Sequence, residues 1–389
     1  SQLSRMGVPH TLYTYAGMNH DAAVVPMNTK LDYICDFLDH TVINPTSTAY
    51  ISPRVTDWPD GNVAGFYKKT PADNVTHSSY LYKTVGPDSI YLDVFRPTVG
   101  TDKKSPILFY CHGGGWQAGD RFDMTNDWLD MSAYFARHGW TVVTMDYRLK
   151  FLKDRQSGRI PDKDIVHYIV SGELDDPQVW GSVSDAIDTA IDDAADALAF
   201  TLANAHLWNA DTTRIVGIGG SAGAITLLTM ENRLCNGTDS TLTSRLPCGF
   251  NFSALIPMAG GVWETSDNDT LKWNNPPCPI LLFHGDNDPI VTYNALHYDR
   301  SHASLWGSRY IAEQLRQMNL PYMLYTVTGG DHAWSANPIV FNREDIQRTL
   351  TRILDDGENI QLDIRLTTPG YNYNGGWFAR YVAERQSAQ

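Results

Sequence analysis

Short apolar runs alternate with longer segments of helical apolar spacing through most of residues 79–355. Period-two alternation covers 79–85 and 89–95, and Gly86-Pro87-Asp88 between them reads as a hairpin turn. Runs fit for buried strands follow at 107–110, 141–145, 215–218, 252–257, 279–283 and 322–327. Helical spacing marks 128–138, 184–205, 224–230 and 308–318. In 184–205, Ile187, Ile191, Ala194, Leu198 and Leu202 share one face, and Ser182 or Ser184 can cap the start. Strands alternating with helices predict an α/β fold: a mostly parallel central sheet with helices on both faces. Segments 150–181 and 232–277 lack a clear period. They read as insertions over the strand carboxyl ends, where such sheets bind ligands.

The flanks carry different patterns. Residues 46–78 are rich in Pro, Thr, Ser, Asp and Gly and read as a linker or irregular extension. Residues 356–389 form a C-terminal tail, polar and then aromatic and Gly-rich, fit for an added cap or strand. Residues 6–20 align without a gap on 318–332, at a constant offset of 312, with Met, Pro, Leu, Tyr, Thr, Gly and His recurring. Both copies read as strand, His-bearing loop, then helix. Residues 1–45 are therefore expected to be the end of a second copy of the domain 79–355. That makes an upstream tandem copy of this domain an expected partner and leaves His20 idle, since no counterpart of Ser221 precedes it.

Composition narrows the function classes. The chain has 389 residues, is 42% hydrophobic, and holds 11 Trp and 20 Tyr. No apolar run approaches the ~20 residues a membrane-spanning helix needs. A net charge of −14, with the Lys and Arg scattered, argues against nucleic acid as a partner. Residue 1 is Ser and no signal-peptide pattern follows, so any such peptide is expected to be removed or never present. The expected location is secreted or periplasmic. Cys235 and Cys248 bracket a polar loop, either bridged or as ordinary thiols. Neither C-x-x-C nor H-E-x-x-H occurs, so neither a metal nor another cofactor is expected. Sequons stand at Asn74, Asn236, Asn251 and Asn268.

The chemistry concentrates around Ser221. Gly219-Gly220-Ser221-Ala222-Gly223 fits G-x-S-x-G, a sharp strand-to-helix turn that presents a serine at its apex. A serine hydroxyl is a weak nucleophile until a positioned base takes its proton, and the base needs an orienting acid. Asp288 and His332 follow in that order, each on a strand-exit loop. Asp286 is the rival acid. Pro289 fixes the backbone after Asp288 and favours it, whereas Asp286 suits a turn former that accepts from backbone amides. His112-Gly-Gly-Gly-Trp116 lets backbone N–H groups approach a developing oxyanion. The amide of Ala222, directly after the serine, is the expected partner of these glycine amides. Trp116 is the candidate substrate contact.

From about 80 to 354 the chain resembles an α/β-hydrolase of the esterase/lipase group that carries H-G-G-G-W. More narrowly, it resembles bacterial carboxylesterases of the feruloyl and acetyl-xylan esterase type. The matching pieces are HGGGWQAGD (112–120), MDYRL (145–149), GGSAGA (219–224), HGDNDPIV (284–291) and GDHAW (330–334). The resemblance implies Ser221 as nucleophile, Asp288 as acid and His332 as base, and Gly114, Gly115 and Ala222 as oxyanion-hole donors with Gly113 in place of one. It places Asp146 and Arg148 in a structural element. It also implies small-molecule or carbohydrate ester substrates, acetyl or feruloyl esters of polysaccharides among them. An arylformamidase or amidase is the alternative, and a catalytically silent binding module is the reading from another class.

Overall fold

The computed structural model describes residues 75–98, 103–122, 131–265, 269–336, 338–339 and 342–366. The expected tandem remnant at 1–45, with His20, lies outside these residues, as do 46–74 and 367–389.

The chain opens with β1 (Val75–Val85) and β2 (Asp88–Pro97), paired antiparallel, with Val85 opposite Asp88 across the two-residue turn Gly86-Pro87. Strand β3 (Ser105–Cys111) is buried along its whole length, as its unbroken apolar run requires of a central parallel strand. Helix α1 (Met131–Arg137) leads into β4 (Thr141–Met145). Then come α2 (Lys150–Gln156), α3 (Ile165–Ser171) and the long α4 (Pro177–Asn204). Strand β5 (Ala210–Gly220) runs into α5 (Ala222–Asn236), followed by α6 (Ser240–Arg245), β6 (Ala254–Met258) and β7 (Gly261–Glu264). The last part holds β8 (Ile280–Gly285), β9 (Ala295–Tyr298), β10 (Ala303–Gly307), α7 (Ser308–Gln317), β11 (Tyr322–Val327), α8 (Arg343–Leu354) and β12 (Gln361–Leu366).

Nine strands form one sheet in the order β1-β2-β4-β3-β5-β6-β8-β11-β12. Every pairing from β4 to β12 is parallel, and only β1–β2 and β2–β4 are antiparallel. Hydrophobic cores cover both faces. One face packs under α4 and α5, and the other under α1 and α8. This is the α/β-hydrolase fold. A separate antiparallel sheet, β7-β10-β9, stands beside it.

Three sequence expectations are corrected. The long helix starts at Pro177, well before 184. Asp176 is its cap, with its carboxylate accepting from the Gln178 and Val179 amides, and Pro177 fills the first helical turn, where no N–H is needed. Ser182 and Ser184 lie inside the helix, and Ile187, Ile191, Ala194 and Leu198 are buried. Each large aliphatic side chain buried there contributes about 1.5–3 kcal/mol. The segment 150–181 is not irregular but holds α2, α3 and the start of α4. The domain expected at 79–355 also extends past both of its edges. Its sheet begins at Val75 rather than 79, and β12 pairs parallel with β11, so the tail does not begin at 356.

The described cysteines are free thiols. Cys235 is buried and donates to Glu231, whereas Cys248 is exposed. No described helix is long and apolar enough to cross a membrane, and no described cluster of His, Cys, Asp and Glu could hold a metal ion.

Candidate active site

Strand β5 ends where it must turn sharply to enter α5, and Ser221 occupies that apex with φ 52° and ψ −120°. A non-glycine residue rarely takes this backbone, and here it is held from both sides. The Ser221 amide donates to the Met258 carbonyl at 2.8 Å, and the Ser221 carbonyl accepts from Ile225 in the new helix. Gly223 is required by close approach, since a Cβ there would lie 2.1 Å from the Cys111 carbonyl oxygen. The tight turn also brings the first amide of α5, that of Ala222, next to the hydroxyl. At a helix start that N–H has no partner within the helix, and the helix dipole favours negative charge there.

Two strand exits meet this serine. His332 starts the short 3-10 turn after β11, with Asp331 capping it by accepting from the Ala333 amide at 2.9 Å. Its Nε2 lies 2.8 Å from Ser221 Oγ, and its Nδ1 lies 2.7 Å from Asp288 Oδ2. The carboxylate can only accept, so Nδ1 carries the proton and Nε2 is left to accept from the serine. Asp288 lies in the loop after β8, and its side chain is fully buried. Its Oδ1 accepts from the amides of Ile290 (2.8 Å) and Val291 (3.1 Å). Burial pushes its carboxyl upward, but His332 and His284 outweigh this and hold it well below the usual carboxylate range. Asp286 points elsewhere, accepting from the Gly329 amide at 2.6 Å and from Arg365 at 3.0 Å.

The glycine turn after β3 faces the same space. Gly114 has φ 98°, and a Cβ on it would sit 2.2 Å from the Ala118 carbonyl oxygen, so only glycine fits. Its own carbonyl accepts from Gln117 and Ala118, closing the turn. The His112 ring is buried, its Nδ1 2.8 Å from the Gly113 carbonyl. Burial lowers its pKa to about 4, so the ring is neutral and Nδ1–H donates. Trp116 is left-handed (φ 54°) and buried, and its indole N–H donates to Thr226 of α5 at 3.1 Å. Trp116 thus ties the turn to the helix behind Ser221 while bordering the cavity.

That cavity has a volume of about 510 Å³ and is bordered by Ser221, His332, Gly113, Gly114, Gly115, Trp116 and Ala222. The rest of its wall is mostly apolar. Ile165, Val166 and Ile169 come from α3, and Trp263, Tyr298 and Leu305 come one each from β7, β9 and β10. None of these was singled out from the sequence. The only signal was indirect and partial: Ile165, Val166, Ile169 and Trp263 lie in the segments read as insertions over the strand ends, whereas Tyr298 and Leu305 lie outside them. Asp146 and Arg148 lie in the turn after β4. Asp146 binds Arg121 through backbone and guanidinium, and Arg148 forks onto the buried carboxylate of Asp193 on α4. Both hold loops rather than face the cavity.

The arrangement places a hydroxyl against an imidazole with a buried carboxylate behind it, and backbone amides, around one apolar cavity. The BD-FAE family model matches residues 92–171, which hold the glycine turn and the Asp146–Leu149 element. The chain is 30% identical over 106 residues to a probable dipeptidyl-aminopeptidase B of Botryotinia fuckeliana (strain B05.10), covering 26% of this chain and 11% of that protein. It is 28% identical over 148 residues to gut esterase 1 of Caenorhabditis elegans, covering 38% and 22%. The chain thus spans well under a third of either curated relative. Among solved structures, esterase B of Lactobacillus rhamnosis (HN001) aligns over 75% of this chain and 90% of that one, at 16% identity and a TM-score of 0.48.

Proposed function

We propose that this chain is a serine-dependent carboxylic ester hydrolase. One observation carries the reading: Ser221, His332 and Asp288 form an unbroken hydrogen-bonded line whose serine end opens into the apolar cavity. Ser221 Oγ attacks the ester carbonyl carbon while its proton passes to His332 Nε2. Asp288 stabilises the imidazolium that forms. The carbonyl oxygen becomes an oxyanion facing the amides of Ala222 and of Gly114 and Gly115, each worth about 3–4 kcal/mol. Collapse breaks the bond to the alcohol oxygen, which takes the proton from His332 and leaves an acyl-serine. Water, deprotonated by the same imidazole, then releases the acid.

The substrates we propose are acetyl or feruloyl esters of polysaccharides. Apolar and aromatic walls around a cavity of this volume suit an acyl group the size of a cinnamoyl ring, held by burial rather than by charge. Amide hydrolysis is the second reading, prompted by the aminopeptidase name of one relative. The test is a panel of p-nitrophenyl acetate, methyl ferulate and N-formylkynurenine, alongside fluorophosphonate labelling of wild type and Ser221→Ala. Ester turnover and labelling that both vanish in Ser221→Ala are expected. Turnover of the formamide alone sinks the ester reading, and an unlabelled, inactive wild type sinks both.

A further inference from the structure

The acid of the site touches two imidazoles. Besides His332, Asp288 Oδ2 lies 3.3 Å from Nε2 of His284, the residue that opens the His284-Gly-Asp-Asn-Asp-Pro289 run. The His284 side chain is fully buried on β8. Its Nε2 also lies 3.1 Å from the Val291 carbonyl, and its Nδ1 lies 2.8 Å from Ser308 Oγ, at the start of α7. The tautomer follows from the partners. Nε2 faces only acceptors, a carboxylate and a carbonyl, so it must carry a proton. Nδ1 lies beside the Ser308 hydroxyl, which can donate to it and also lies 3.3 Å from the Gly260 carbonyl.

Asp288 Oδ1 is then held by two amides and Oδ2 by His332, with His284 Nε2 in contact with Oδ2 at 3.3 Å. A buried carboxylate left with one oxygen under-satisfied is costly, and it is free to swing away from the base.

We propose that His284 is a positioning residue: its Nε2–H fixes Asp288 Oδ2 at the distance His332 needs. The chain of contacts then runs Ser308, His284, Asp288, His332, Ser221. His284 does not border the cavity, so its effect on the base is carried by Asp288. This rests on the serine-hydrolase reading above.

The test compares His284→Leu, which fills the space without a donor, with His284→Gln, which keeps an N–H. Initial rates on p-nitrophenyl acetate and the second-order rate of fluorophosphonate labelling are read for each. In His284→Leu, kcat and the labelling rate are expected to fall about 10- to 100-fold with KM within about two-fold, and His284→Gln recovers most of the loss. In an Asp288→Asn background, His284→Leu is expected to change the rate by less than about two-fold, because no carboxylate remains to be positioned. Wild-type kcat in His284→Leu overturns the proposal. So does an equal loss in Leu and Gln, or a full further loss in the Asp288→Asn background. If His284→Leu does not fold, as read by its thermal midpoint, His284→Gln and Ser308→Ala carry the test. Ser308→Ala is expected to lower kcat several-fold at unchanged KM, and both variants at wild-type kcat overturn it. Wild type that Ser221→Ala cannot silence would instead overturn the serine reading itself.

Discussion

Tyr147 and His112 are bound twice: their rings stack face to face at 4.0 Å, and the Tyr147 hydroxyl donates to the His112 carbonyl at 2.9 Å. The same hydroxyl lies 3.1 Å from the Gly113 carbonyl. The exit of β4 thereby clamps the turn that follows β3, orienting two peptide groups next to the amides proposed to bind the oxyanion. Tyr147→Phe keeps the stack and loses the hydroxyl. It is expected to cost about 1–2 kcal/mol in urea unfolding and to lower kcat several-fold with little change in KM.

The two aspartates of the β8 exit separate by their partners. Asp288→Asn is expected to lower kcat by about 10³–10⁴, because an amide can present a donor to Nδ1 and favour the wrong tautomer. Asp286→Asn keeps an oxygen for the Gly329 amide, loses the ion pair with Arg365, and is expected to keep kcat within about three-fold. Steady-state rates on one ester decide it. A larger loss in Asp286→Asn would reverse the assignment.

His112 gives stability a pH dependence with a definite sign. Its pKa falls from an ordinary 6.5 to about 4, chiefly through burial. The folded protein therefore binds fewer protons than the unfolded chain between these values, and stability falls as pH drops through that window. This one group contributes on the order of 3 kcal/mol of that loss by pH 4. Asp288, held below the usual carboxylate range, adds its loss only at lower pH. Urea unfolding at pH 7 and pH 5 is expected to show a shallower slope for His112→Gln than for wild type.

Thiol chemistry can be read by peptide mapping. Iodoacetamide added to the native protein is expected to label Cys248, which is exposed, and to spare Cys111, Cys235 and Cys278, which are buried. Burial also pushes the Cys235 thiol up, with the Glu231 carboxyl beside it adding to the effect, so its reactive thiolate is scarce. Recovery of a 235–248 cross-linked peptide would contradict the free thiols of this structure.

Much of the frame could be read from apolar patterning. The strands at 141–145 and 322–327 coincide with the runs that announced them, because a parallel strand buried on both faces leaves an uninterrupted apolar signature. The site residues were legible because strand exits are where a sheet of this class assembles ligands. Asp176 and Pro177 were passed over because they sit in a polar stretch whose apolar face is sparse. Strand β9 spans four residues with only Tyr298 buried, too short to announce a period. The signal for β12 was present in Gln361-Leu-Asp-Ile-Arg-Leu366, a strict polar–apolar alternation. It describes an edge strand with one wet face, unlike the solid runs of the centre. His284 escaped because a histidine in a strand is ordinarily core, and only the buried neighbour Asp288 gives it a task.

That last strand sets a practical boundary for work on this protein. A version cut at 355 would strip β11 of its outer neighbour along its whole length and leave a bare row of amides and carbonyls beside the loop that carries His332. It would also release Asp286 from Arg365. Such a fragment is expected to self-associate and to lose activity together, whereas one ending beyond 366 keeps the edge closed. The β12 strand therefore serves as a seal on the catalytic half of the sheet.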